Sequence, residues 1–117
     1  MAKLQKKNFN APDETRTPEN TTIEVVTVGG KPVMKATFQP GWKWSEHIKP
    51  VAGGNSCSVH HFGYQVSGKM HIESDDGGVM ETGPGDVADI PPGHNAWVIG
   101  SEPVVMIDFG SVEKYGK

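Results

Sequence analysis

The sequence predicts an all-β domain, a sandwich or barrel of about eight short strands, and three observations carry that expectation. β-branched and aromatic residues gather in short runs. Turn residues separate the runs at intervals of roughly 6 to 12 residues, drawn from 15 glycines and 9 prolines. No window of ten or more residues repeats with a helical period, so helix is limited to a turn or two.

Residues 1–20 are polar and carry Pro12 and Pro18. They read as an arm without much structure of its own, either packed along the domain or frayed. Residues 22–28 are β-branched and form a strand; Gly29-Gly30 is a hairpin turn, and residues 33–38 return as the second strand. Pro40-Gly41 ends it. Residues 42–48 read as a further strand with Trp42, Trp44, Glu46 and Ile48 on one face. The two tryptophans fill core or an interface, or else wall a ligand pocket. Strands follow at 62–67, 70–73, 79–82, 87–90, 96–99 and 104–109, each bounded by Gly, Pro or Asp-rich turns. The barrel therefore spans 21–110, and 111–117 is a short polar tail.

At 117 residues the chain is one domain. A net charge of −3 without a basic stripe argues against nucleic acid and anionic membranes as partners. No apolar run is long enough to span a bilayer, and the basic start is not followed by an apolar signal core. A cytoplasmic location is expected, and the single cysteine suits a reducing compartment.

Two segments carry the candidate chemistry. In residues 57–68, Cys57 and His61 precede a strand that ends at Gly68; in residues 85–94, Gly85, Pro91 and Gly93 lead to His94. These segments resemble the motifs of the cupins, small jelly-roll β-barrels. The second cupin motif, Gly-x5-Pro-x-Gly-x2-His, is matched by Gly85, Pro91 and Gly93, with His94 two residues early. Anchoring the first motif on Gly68 puts His61 at the glutamate position and Asn55 and Cys57 at the first two ligand positions. The wording of residues 40–47, 63–70, 75–77 and 91–97 is similar to small single-domain cupins whose activity is generally unassigned. The resemblance covers residues 22–109 and implies a cupin-like double-stranded β-helix. It implies an altered ligand set on an intact turn skeleton.

A thiolate with two imidazoles suits zinc, iron, nickel or copper and does not suit magnesium or calcium. The usual cupin set of histidines and a carboxylate favours iron or manganese, so this set shifts the expectation to softer metals, with zinc, iron or nickel foremost. On a straight strand Cys57 and His61 would stand roughly 13 Å apart, so sharing a metal requires a bend, which the cupin resemblance implies. The strand after the bend is ambiguous. Burial logic turns Phe62, Tyr64 and Val66 inward with His60; the motif register turns His61 and Gln65 inward. The motif register is adopted here, and both sets are buried if a second subunit covers the outer face.

The leading expectation is a metal-binding cupin that holds a divalent transition metal with Cys57, His61 and His94. Tyr64, Gln65 and Trp97 are candidates to line a pocket for a small polar or anionic molecule. An enzyme and a binding module both fit. The alternative is a metal-free binding or sensing module in which Cys57 is core. A thiol redox sensor is a third option. Nucleophilic catalysis by Cys57 with a histidine lacks an identifiable orienting group. His47 is a strand-end residue or a fourth ligand, and His60 is a surface or interface residue. A homodimer is expected, burying aromatic surface from Trp42, Trp44, Phe62 or Trp97.

Overall fold

The computed structural model describes residues 3–110 and 115–116. Of the tail assigned to 111–117, all but Tyr115 and Gly116 lie outside the described residues. The elements in chain order are β1 (Glu14–Arg16), β2 (Thr21–Val28), β3 (Lys31–Phe38), α1 (Trp44–His47), α2 (Lys49–Ala52), β4 (His61–Ser67), β5 (Lys69–Ser74), β6 (Val79–Thr82), β7 (Val87–Ile90), β8 (His94–Ile99) and β9 (Val104–Asp108). They form two antiparallel sheets, β1-β2-β3-β9-β4-β7 and β6-β5-β8. This is a jelly-roll barrel, the all-β class expected from the turn spacing.

The strands form where alternation permits one face to be buried. In β3, Met34, Ala36 and Phe38 point inward between half-exposed neighbours, and β9 repeats the pattern with Val104, Met106 and Asp108. Both turn glycines of the β2–β3 hairpin have positive φ, 59° and 77°, as the tight turn with matching twist requires. The arm is not featureless. It contributes β1, whose buried Arg16 donates from a guanidinium nitrogen to the Tyr115 carbonyl at 2.7 Å.

The strand expected at 42–48 is corrected. Trp42 and Lys43 remain extended, pairing with β8 through the Val98 N–H and the Trp42 carbonyl, but the chain then turns into α1 and α2. Trp44 and Ile48 are buried while Glu46, which the strand reading put on their face, is exposed. A spacing of four satisfies a strand face and a helix face alike, and Glu46 distinguishes them. Pro50, tolerated in the first turn, opens α2.

The β4 register follows the motif. His61, Gly63 and Gln65 face inward, and Phe62, Tyr64 and Val66 face out. Gly63 is the pivot of this register: an added Cβ would stand 2.1 Å from the Ile107 carbonyl oxygen and 3.1 Å from the Asp108 Cα. Only glycine allows β4 and β9 to approach so closely. Beyond it a bulge at 65–67 ends the regular ladder, and the fully buried Gln65 ties the strand down. Its amide donates to the Gly68 carbonyl at 2.8 Å and its carbonyl accepts from the Thr82 hydroxyl at 2.5 Å.

Candidate metal centre

Three chain segments meet at one end of the barrel. Cys57 pairs with His94 in an isolated bridge, its N–H donating to the His94 carbonyl and its own carbonyl accepting from the Gly93 N–H, both at 2.7 Å. Residues 58–60 then leave strand geometry, and the chain re-enters the sheet at His61. This is the required bend: Cys57 Sγ lies 3.6 Å from His61 Nε2. The ligand atoms of Cys57, His61 and His94 all lie within 4.8 Å of one another. A tetrahedral zinc with ordinary Zn–S and Zn–N bonds has an S···N edge of roughly 3.6 Å, so the pair fits that ion.

The hydrogen bonds fix which nitrogen each imidazole presents. His94 Nδ1 lies 2.8 Å from the Pro91 carbonyl, which only accepts, so this nitrogen carries the proton and Nε2 is left as the ligand atom. His61 Nδ1 donates to Asp108 Oδ2 at 2.5 Å, directing its Nε2 at Cys57. Asp108 in turn accepts from the Gly110 N–H at 2.8 Å through Oδ1. The His61 and Asp108 side chains are only 12% and 6% exposed, so this pair is shielded from water. Burial pushes the Cys57 thiol up, but hydrogen bonds and positive charge from His61 and then His94 outweigh it, bringing it down to about 6. Burial disfavours the charged His61, but the Asp108 and Cys57 hydrogen bonds win and raise it to about 9. Burial and the neighbouring Cys57 and Asp108 charges hold the Tyr115 phenol well above its usual range. Its ring stands perpendicular to His61 with centroids 4.8 Å apart.

Sequence reading missed Asp108 and Tyr115. Asp108 supplies the orienting group that nucleophilic or metal chemistry needs, and a charged residue on the inward parity of an apolar strand is the signal that marks it. Tyr115 sits among polar tail residues and carries no such signal.

His61, His94 and Asp108 also line a cavity of about 40 Å³, whose wall includes Phe38, Trp42, Trp44, Met70, Ile72 and Met106. None of the three pocket residues expected from sequence lines it. Tyr64 faces outward on β4 and is exposed. Gln65 faces inward but spends its amide on Gly68 and Thr82. Trp97 lies on the outer face of β8, stacked on His71 with Lys43 above its ring. Strand parity explains both aromatic misplacements, since Tyr64 alternates with His61, and Trp97 with His94, Ala96 and Val98. His47 and His60 do not join the cluster. His47 accepts the Lys43 N–H on Nδ1 at 3.0 Å, and the exposed His60 pairs with Asp89 at 2.5 Å.

No protein-family model and no curated protein matches the sequence. Solved structures do match in fold. An Acidithiobacillus ferrooxidans protein of unknown function is 17% identical with a TM-score of 0.60, covering 82% of this chain and 85% of its own. A cupin-like protein from Thermotoga maritima is 17% identical with a TM-score of 0.55, over 88% of this chain and 76% of its own. The Lactobacillus farciminis oxalate decarboxylase, solved as a formate complex, is 11% identical with a TM-score of 0.65, over 97% of this chain but 35% of its own. The chain thus has the cupin-type jelly-roll fold.

Proposed function

We propose that this cupin-fold domain binds one divalent transition metal, zinc, iron or nickel, through Cys57, His61 and His94. The observation that carries the reading is the convergence of the three potential ligand atoms, with Nδ1 of each histidine engaged by Asp108 or the Pro91 carbonyl. A buried thiolate with two imidazoles matches these metals, and three protein ligands leave a coordination position open. When bound, the metal supplies Lewis-acid polarisation of a small polar or anionic molecule. The protein's own contribution is to fix ligand orientation: Asp108 and the Pro91 carbonyl aim the two imidazoles.

The test is elemental analysis of protein never exposed to chelator, followed by zinc, iron and nickel titration. Near-stoichiometric metal in the wild type and loss of at least tenfold in affinity in Cys57→Ser are expected. A metal-free wild type that takes up none on titration would overturn the reading in favour of a metal-free binding module.

A second copy of this chain is the proposed partner. Trp42 and Trp44 are buried within the barrel and cannot serve an interface, and Trp97 lies on the opposite sheet from Phe62. The face that suits self-association is the outer side of β4, β7 and β9. There Phe62, Tyr64, Val66, Val87 and Phe109 are 49%, 44%, 48%, 66% and 55% exposed. Alternation of these side chains with the inward set is the pattern of a strand covered on both faces. Sedimentation of the wild type should give a dimer and Phe62→Lys a monomer; a monomeric wild type at high micromolar concentration sinks the idea.

A further inference from the structure

Tyr115 belongs to the wall of the cavity that His61, His94 and Asp108 also line. It is 3% exposed, and its ring stands perpendicular to both His61 and Phe38, with centroids 4.8 Å and 6.3 Å away. It differs from the rest of that wall in how it is held. The other lining residues sit in strands of the two sheets or in α1, except Trp42, whose carbonyl accepts from the Val98 N–H of β8 at 2.9 Å. Tyr115 has no strand partner among the described residues. The N-terminal arm attaches it instead. The Arg16 guanidinium of β1 donates to the Tyr115 carbonyl at 2.7 Å and to Glu14 at 2.6 Å. Ile23, directly opposite Arg16 in the β1–β2 ladder, packs on the next residue: a Cβ added at Gly116 would stand 2.4 Å from Ile23 Cδ1. One pair of facing strand residues therefore grips two consecutive residues of the C-terminal segment.

We infer that Tyr115 is the removable wall of this cavity, a plug latched by Arg16 that governs entry of ions and small molecules to Cys57, His61 and His94. The sheet walls are held by ladders of backbone hydrogen bonds and open only with the barrel. A residue held by side-chain contacts from the arm opens locally and at lower cost. The inference rests on the metal reading only in taking the cluster as the destination, since access to Cys57 is the same question in metal-free protein.

The probe is iodoacetamide, reacted with chelator-treated protein at fixed pH. Cys57 is the chain's single cysteine and is 2% exposed, so its alkylation reports opening. Tyr115→Ala and Arg16→Met should each raise the alkylation rate about tenfold or more, and Tyr115→Phe, which keeps the ring, should leave it within about twofold. Val104→Ala, a core change away from the cavity wall, controls for general loosening. The inference is overturned if neither Tyr115→Ala nor Arg16→Met reacts faster than the wild type. It is also overturned if Val104→Ala, relative to its loss of stability, speeds alkylation as much as Tyr115→Ala. The wild type supplies a measurement that needs no variant. Alkylation through the plug is nearly independent of urea below the unfolding transition, and a rate that follows the global unfolding equilibrium overturns the inference. Zinc titration of the same samples tests the metal reading separately. Protection of Cys57 by Tyr115 without zinc binding overturns the metal centre alone. Zinc binding with Cys57 equally reactive in every variant overturns the plug alone.

Discussion

Replacing Asp108 with asparagine is expected to weaken metal binding by about 10- to 100-fold without displacing any of the three ligands. The carboxylate accepts the His61 Nδ1 proton on one oxygen and the Gly110 N–H on the other. Asparagine has one acceptor oxygen, whereas the carboxylate serves the His61 Nδ1–H on one oxygen and the Gly110 and Phe62 N–H groups on the other, so one side faces an amide N–H in either rotamer. If His61 keeps the acceptor, it loses the negative charge that makes its Nε2 a strong ligand. If Gly110 keeps it, the imidazole is no longer held. A stability loss of about 1–3 kcal/mol accompanies either outcome, because a buried donor is left unpaired. Zinc titration read by the ultraviolet metal–thiolate band, with folding checked by circular dichroism, measures the effect. Wild-type affinity in a folded Asp108→Asn protein would show that the carboxylate plays no part in holding the metal.

Metal-free protein should be most stable in a window of about pH 6 to 9, bounded by the two shifted groups. The Cys57 thiol is depressed to about 6, so its contribution is complete above the ordinary thiol range and is lost as pH falls through that value. His61 is raised to about 9, so its contribution is complete below the ordinary imidazole range and is lost as pH rises through that value. Between these limits thiolate and imidazolium face each other at 3.6 Å, with Asp108 behind. Metal must displace the His61 proton to reach Nε2, so zinc binding at the middle of the window should release about one proton from this histidine. Urea titrations across pH measure the window, and calorimetry in buffers of differing ionisation enthalpy counts the proton. A thiolate absorbance that rises only near the free-cysteine value would remove the pair as the cause.

Much of this arrangement was legible in the chain. Gly29-Gly30, Gly68 and Gly93 all adopt the positive φ that turns at their places require, so the punctuation of the barrel is local information. The proximity of Cys57, His61 and His94 was legible too, because motif spacing fixed the register of β4 when burial logic pointed the other way. Phe62, Tyr64 and Val66 are apolar yet exposed, so hydrophobicity alone misreads this strand. The parts that were not legible depend on distant segments. Trp44 and Ile48 fit a strand and a helix equally, and only packing against β8 decides. Asp108 acquires its role from a strand pairing across 45 residues, Gly63 with Asp108, which no local pattern encodes.

The position of β9 has a consequence for how the domain is made. Although it is the last described strand in the chain, it lies in the interior of the larger sheet, between β3 and β4. A nascent chain that has not yet delivered residues 104–108 therefore holds two strands with open edges and no means of joining them. Such a sheet closes late and through contacts distant in sequence, which makes folding slow and the intermediate prone to association. The same strand brings Asp108, so completion of the barrel and orientation of His61 occur in one event. Convergence of Cys57, His61 and His94 is thereby coupled to the arrival of β9, and a chain cut before residue 104 is expected to lose the sheet and the cluster together.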